Sequence, residues 1–533
     1  MSAAFKWSSI MLSTTLGYII PGLSIYILIY VTYQIFLHPL SSYPGLLIAK
    51  LTDGYNGFYA FQRGLHLKTR QNQLTYGAVV RQGPNKLVFN SIKALQDIYR
   101  NDRTTKPKAY IALGPGLSIQ TTITAIDRHV HRSRRQLVGQ VVSERFMRMF
   151  EPTMIDQINL FIQQILPSAL NSAPVNITER SKNLGLNIAG LLGFGYDLGL
   201  QTSEENRFMF DMLHAGSLWS SIFLQWPNAR RFRLGLISLR VFRQLRGKYL
   251  SVVEKMIASR QRQDKDAQRD LYSVLADALD SENGGLRQSE LWAEANLFLV
   301  AAGDTAKTAL CAVFFYLSRN DDCYKKLAHE IRSTFTVGSE IRGPALAACR
   351  YLRACIDEAL RMSPPAAGVL WRESLHTAGD LPFTVDGHVI PGGTLVGVNI
   401  YSVHHIAEYF PDPFTYQPER WLDNTMPTEK KRIMRDAFVP FSLGPRGCAG
   451  QAMAYSEISL AVAKTMWYFD FERAKGRLGE IGAGAQGAGE GREQPGEFQL
   501  LDNFTASHDG PYLTFHCREN LYEDLNNAES REG

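Results

Sequence analysis

Cysteine is scarce in this chain: six in 533 residues, at positions 311, 323, 349, 355, 448 and 517, with no C-x-x-C pair. That excludes a disulfide framework and makes most of them small buried hydrophobes of a reducing compartment. An excess of one charge is missing too. A net charge of +6, with no basic stripe beside readout motifs, gives no sign of a nucleic-acid partner. No Pro/Ser-rich linker and no internal repeat divides the chain. Length alone would suggest three or four domains, yet a single domain is expected over 38–533. The sharpest absence is local: Trp7 to Leu37 holds no charged residue. About twenty apolar residues span a bilayer as a helix, so residues 1–37 are expected to be a retained membrane anchor. The rival is a secretory signal, with a shorter apolar core and a small-residue cleavage site. Tyrosines close the stretch as an interfacial belt would. Pro21-Gly22 is expected to interrupt it, and Pro39 and Pro44 to turn the chain away.

What is present is core material, 45% hydrophobic against 20% charged. Residues 77–91 alternate around Gly-Pro-Asn and predict a β-hairpin. Helical spacing recurs at 153–170, 204–216, 235–263, 288–317, 322–334 and 345–362, with strand-like pieces at 383–399. The expected class is mainly α with small β-sheets, an α+β chain. GAGAQG, 482–487, satisfies G-x-G-x-x-G, but its glycine-rich surroundings have no apolar period. We therefore read 474–497 as a flexible surface insertion, not a dinucleotide fingerprint. Two sequons, at Asn176 and Asn503, would matter only in a luminal domain.

The loop FSLGPRGCAG, Phe441 to Gly450, does not suit a merely structural cysteine. Gly444 and Gly450 allow close backbone approach, and Arg446 sets a cation two residues before Cys448. The helical run 451–469 places the sulfur near a helix N-terminus, where free N–H groups favour a thiolate. A phosphate loop is excluded by the missing lysine of GxxxxGK[ST]. A lone thiolate of this kind suits a soft metal, and haem iron takes one cysteine.

This loop matches in full the haem-binding signature FxxGxRxCxG, and the chain after about residue 38 resembles the cytochrome P450 family, in particular its microsomal, fungal-type members. The resemblance implies haem b, with Cys448 as the axial ligand of the iron, Arg446 on a propionate and Phe441 near the sulfur side of the ring. Glu358 and Arg361, an E-x-x-R pair, and Arg420, in Pro418-Glu419-Arg420-Trp421, resemble the family's structural triad. In 295–310 the pair Asp304-Thr305 resembles the acid–alcohol pair of the distal helix and implies proton delivery. The stretch departs from the motif at Ala302 and Ala306, with Gly303 free to loosen the helix one position late. In 127–137, Arg135 keeps the propionate arginine of W-x-x-x-R, and His131 stands for the tryptophan. Arg372 resembles the arginine that meets a propionate from the sheet side.

The implied activity is a membrane-anchored haem-thiolate monooxygenase in the endoplasmic reticulum, single-pass, with its domain cytosolic and a role in secondary metabolism. NADPH-cytochrome P450 reductase, with cytochrome b5 as a further candidate, would supply electrons. Arg128, Arg132, Arg134, Lys430, Lys431 and Arg432 either face that partner or are an ordinary solvated charge run. Pocket positions are expected in 108–125, 205–235 and 365–370, near Phe504, and at Phe298, Ala301, Ala302 and Val369. They suit a lipophilic small molecule. The alternatives are a haem-thiolate isomerase, dehydratase or synthase of the same fold, and a non-catalytic membrane haem binder.

Overall fold

The computed structural model describes residues 18–114, 119–232, 243–264, 267–279, 287–375, 381–422, 426–518 and 521. The first eleven residues of the uncharged stretch, the start of the 235–263 helix and pocket positions 115–118 and 233–235 lie outside them.

The described chain opens with α1 (Tyr18–Leu37), whose last turn, Tyr33–Leu37, widens into a π-helix. Pro21-Gly22 does not interrupt it, contrary to the sequence expectation; the helix runs through both. Only 6% of its apolar window is buried, and its length and composition allow it to cross a membrane. Next come α2 (Leu47–Leu51), α3 (Gly54–Phe61), α4 (Leu65–Tyr76), β1 (Val79–Gly83), β2 (Lys86–Phe89), α5 (Ile92–Tyr99) and β3 (Thr104–Thr105). The hairpin β1–β2 also holds the end of α1. Arg81, fully buried, donates Nη1 to Gln34 O at 2.8 Å and Nη2 to Gln34 Oε1 at 2.7 Å.

The helical body follows: α6 (Arg128–Val141), α7 (Glu144–Leu170), then β4 (Pro174–Asn176), α8 (Ile177–Phe194), α9 (Met209–Gln225), α10 (Arg243–Gln261), α11 (Leu271–Leu279), α12 (Gln288–Leu317), α13 (Asp321–Thr334), α14 (Gly343–Ala347) and α15 (Arg350–Met362). Asp127 caps α6 by accepting from His129 N and Val130 N at 2.8 and 3.0 Å. Helix α7 begins well before 153 and holds Pro152 and Pro167 inside it. Helix α9 sits later than the expected 204–216, because its serine- and leucine-rich end keeps helical spacing as far as Trp226-Pro227. The run 345–362 is two helices. Glu330 of α13 accepts from Tyr351 N and Leu352 N at 2.8 Å each, which restarts the chain as α15.

The remainder holds β5 (Arg372–Ser374), β6 (Thr384–Val385), β7 (His388–Val389), β8 (Leu395–Val398), α16 (Ile400–His404), α17 (Thr428–Ala437), α18 (Gln451–Tyr468), β9 (Phe469–Arg473), α19 (Arg477–Glu480), β10 (Leu501–Asn503), β11 (Thr505–Ser507) and β12 (Tyr512–Cys517). A five-stranded sheet runs β1-β2-β8-β5-β3, with β2 and β8 parallel and its other pairs antiparallel. Smaller sheets are β4-β12-β9, β10-β11 and β6-β7. The main core packs α12 among α7, α8, α15 and α18, and α12 is wholly buried from Ala306 to Leu317. Between α19 and β10, Ala485 N donates to Arg492 O at 2.9 Å and Gly484 N to Glu497 O at 3.3 Å. No strand leads into 482–487 and no helix leaves it.

Candidate haem-thiolate site

The cysteine loop is a tight turn set against the end of α5. Cys448 N donates to Phe441 O at 2.8 Å and Gly447 N to Gly444 O at 3.0 Å. Gly444 has φ +70°, and a Cβ there would lie 2.0 Å from Tyr99 O, so only glycine fits. Gly450 is different: its φ is −85°, and a Cβ would meet only the Cys448 sulfur, at 4.0 Å. Its backbone conformation by itself imposes no glycine. The ring of Phe441 packs on Tyr455 of α18, centroids 5.3 Å apart.

Cys448 is exposed while the other cysteines are buried or half-buried. Burial of its surroundings pushes its thiol up; the Gly450 N–H and the charge of Arg135 pull it down. The cation acting on the sulfur is therefore Arg135 of α6, not Arg446. Arg135 Nη1 donates to Gly447 O at 2.8 Å. Arg446 turns away, donating to Ala125 O at 2.6 Å, Ile126 O at 2.8 Å and Thr105 Oγ1 at 3.2 Å.

Arg135, Arg372, Arg446 and Lys106 form one cationic cluster. Arg372 donates to Trp371 O at 2.9 Å and Lys106 to Ile123 O at 2.7 Å. Burial and the three arginines hold the Lys106 ammonium well below its usual range. Burial, then the same four cations, takes His131 down to about 3, so its imidazole is neutral. None of the four cations makes an ion pair among the described residues. The acids that act on the cluster are committed elsewhere. Asp127 caps α6, and Glu294, pushed up to about 7 by burial, accepts from Thr122 N at 2.7 Å. Four buried or half-buried cations without a carboxylate fit a ligand that brings its own anionic groups. Lys106 was not legible in TTKPKAY; nothing local marks it.

Helix α12 carries the distal-helix residues. Ala301 is exposed, Ala302, Asp304 and Thr305 are half-buried, and Thr305 Oγ1 donates to Ala301 O at 2.8 Å. Asp304 Oδ1 pairs with Lys307 Nζ at 2.9 Å. Gly303 does not loosen the helix, which is unbroken there. A Cβ at Gly303 would stand 3.1 Å from Leu186, and one at Gly185 would stand 3.0 Å from Gly303 O, so both glycines serve the close packing of α8 on α12.

Val369 packs with Val88, Tyr110, Leu224 and Trp371, with Phe504 against them, so the expected pocket stretches do converge. The cleft between them also carries polar groups: Ser221 and Gln225, within the expected 205–235 stretch, and Asp502, which sequence reasoning missed. Phe298 lies in the main core, where a Cβ on Gly193 would come 3.3 Å from its ring.

Behind the loop Glu358 is fully buried and holds two arginines. Arg361 Nη2 and Nε donate to its two oxygens at 2.8 and 3.0 Å, Arg420 Nε at 3.0 Å, and Trp421 Nε1 at 3.0 Å. Val439 N donates to His404 Nε2 at 3.0 Å, so His404 Nδ1–H donates to Arg361 O, also at 3.0 Å. The triad thus reaches the strand of chain that enters the loop. Arg128 and Arg132 are exposed, Arg128 with Asp102 at 3.8 Å, whereas Arg134 pairs with Glu290 at 2.8 Å and Arg432 with Glu429 and Asp436 at 2.6 and 3.1 Å.

An exposed thiol in a tight glycine-bearing loop, with cations nearby that make no ion pair among the described residues, is the donor set of a haem-thiolate protein. The comparisons agree. The Cytochrome P450 family model matches residues 53–480. "Cytochrome P450 monooxygenase apf7" of Gibberella fujikuroi is 34% identical over 91% of this chain and 95% of its own length. "Cytochrome P450 monooxygenase poxM" of Penicillium oxalicum is 33% identical over 92% and 93%, and "Cytochrome P450 monooxygenase AKT7" of Alternaria alternata 30% over 92% and 95%. This chain belongs to the cytochrome P450 family, whose members are haem-thiolate enzymes served by a redox partner and acting on small molecules.

Proposed function

We propose that this chain is a membrane-anchored monooxygenase that binds haem b and oxidises a lipophilic small molecule of fungal secondary metabolism. The observation that carries the reading is the exposed thiol of Cys448 near four cations that have no carboxylate partner among the described residues. Bound haem supplies dioxygen activation, with one oxygen atom going into the substrate and the other leaving as water. Cys448 Sγ would hold the iron, and Arg135 would favour its thiolate. Arg446, Arg372, Arg135 and Lys106 hold the two propionates, and neutral His131 borders them. Glu358, Arg361 and Arg420 keep the loop in register through His404, and Gly444 and Phe441 set its shape. Thr305 Oγ1 is the proton donor nearest the reacting centre, and Asp304 is the carboxyl that supplies it. Ala301, Ala302 and Val369 border the substrate, and Phe298 stiffens the wall behind them.

Electrons come from NADPH-cytochrome P450 reductase, with cytochrome b5 as a second donor. Arg132, Lys430 and Lys431 are the cations left to face the partner, with Arg128 held more loosely by Asp102 at 3.8 Å. Residues 1–37, with α1, anchor the chain in the endoplasmic reticulum membrane, and 38–533 are the cytosolic catalytic domain, with 474–497 inserted in it. The test is reductase-dependent consumption of oxygen and NADPH. Binding of haem without oxygen consumption would favour an isomerase or a haem binder instead.

A further inference from the structure

The cleft where α9, the chain before β5 and the β10–β11 turn converge is apolar on one side, at Val369 and Phe504, and polar on the other, at Ser221, Gln225 and Asp502. The free space among them is about 10 Å³, room for one water-sized atom. Its occupant is a single functional group, not a whole molecule.

The three polar side chains are buried, yet each has hydrogen-bonding capacity left over. Gln225 Oε1 accepts from Trp371 Nε1 at 2.9 Å. An indole N–H only donates, so the amide orientation is fixed and Nε2 is a pure donor. Neither Nε2 proton is given to a described residue, and the Ser221 hydroxyl is likewise uncommitted. Asp502 Oδ1 accepts from Phe504 N at 3.1 Å. A carboxylate has about four lone-pair sites, so acceptor capacity remains at Oδ2. Gly368 leaves that oxygen open: a Cβ there would lie 2.9 Å from it.

No lysine or arginine pairs with Asp502 among the described residues. His66 comes within 3.8 Å of Oδ2 through Nδ1. Burial, then the charge of Arg492, takes that ring down to about 3, so it is neutral. Arg492 gives its own protons to Gln499 Oε1, Leu500 O and Arg63 O. Burial pushes the Asp502 carboxyl up, while the N–H groups of Phe504 and His66 and the charge of Arg492 pull it back. A fitting group must therefore donate to a carboxylate and accept from an amide N–H through one atom. An ammonium has no acceptor, and an ether or carboxylate oxygen has no proton to give; a hydroxyl does both.

We propose that Asp502, Gln225 and Ser221 form a subsite for one hydroxyl group of an otherwise lipophilic substrate, which donates to Asp502 Oδ2 and accepts from Gln225 Nε2. The substrate is then an alcohol or phenol, and the reaction that supplies it leaves that hydroxyl in place beforehand. Held against the β10–β11 turn by one end, the molecule presents a fixed part of its carbon skeleton to oxidation. This rests on the monooxygenase reading above.

The test uses the full-length holoenzyme in lipid nanodiscs and three probe alcohols, dodecan-1-ol, farnesol and 1-naphthol, each against its methyl ether, which accepts but cannot donate. Affinity is read by calorimetric titration, and contact by the NMR signal of the Gln225 side-chain amide. At least one alcohol should bind roughly tenfold tighter than its ether and shift that signal. Asp502→Asn keeps the bond to Phe504 N while replacing the acceptor in the cleft with a donor. Gln225→Glu keeps the bond from Trp371 while removing the donor. Each should erase the preference for the alcohol. Ser221→Ala, the mildest change, should reduce it and decides the matter where the other two variants fail to fold. Equal affinity of alcohol and ether in wild type for all three pairs overturns the subsite, and so does a preference that survives these substitutions: the cleft then holds only water. Wild type that prefers the alcohol but consumes no oxygen with reductase defeats the monooxygenase reading and leaves the hydroxyl subsite standing.

Discussion

Arg135 and Gly447 are joined across the molecule: the guanidinium of α6 donates to the carbonyl beside Cys448 at 2.8 Å. That one bond puts a positive charge where the sulfur can use it. Arg135→Leu should push the thiol of Cys448 higher still, so its alkylation in the haem-free protein at fixed pH slows. Arg446→Leu should change that rate less, because Arg446 faces Ala125 and Ile126. Equal slowing in both variants would refute the assignment.

Cys448→Ala should abolish the thiolate-type Soret band of the reduced carbon monoxide complex. Replacement of Cys311, Cys323, Cys349, Cys355 or Cys517 should leave that band in place. Its survival in Cys448→Ala would mean that another group holds the iron.

Glu358→Ala strands Arg361 and Arg420 in the interior without a counter-charge. Breaking a buried pair this way costs about 3–5 kcal/mol, and the loss should appear as a lower melting temperature together with reduced haem content. Normal haem content in a stable Glu358→Ala protein would remove the triad from any role in setting the loop.

Glu457 of α18 is buried, one of its oxygens has no partner, and burial pushes its carboxyl up to about 8. The folded state therefore binds this proton more tightly than the unfolded chain, with its ordinary value near 4.5. Its share of stability is complete at low pH and is lost as pH rises through that window, by up to about 1.4 kcal/mol per pH unit. Glu457→Gln should flatten the fall in melting temperature between pH 5 and 8. An unchanged slope would show that this carboxyl is not neutral in the fold.

Thr305→Ala should leave haem content and ligand-induced spectral shifts nearly intact. More NADPH should end as hydrogen peroxide and less as product, with product formation down by roughly 10²-fold or more if the hydroxyl is the proton donor. Unchanged coupling would exclude Thr305 from proton delivery.

Much of the site was legible because its determinants are local. The cysteine loop depends on a φ that only glycine adopts freely and on bonds within ten residues, and α12 on apolar spacing within one helix. The uncharged stretch that includes α1 is likewise a property of adjacent residues. Other features were settled by groups far apart in sequence. Arg446, two residues from the cysteine, points away, and Arg135, more than three hundred residues earlier, supplies the charge. Lys106 joins the cluster because the chain after β3 meets the loop before α6, where Nζ donates to Ile123 O. The run 345–362 breaks because Glu330 caps α15 from α13. Asp304 looks available in sequence but is held by Lys307, which shares its helix face. Backbone conformation follows from neighbours a few residues away. The partner of a long, flexible charged side chain is chosen by whichever donor or acceptor the packed elements bring within reach, and only the tertiary structure decides that.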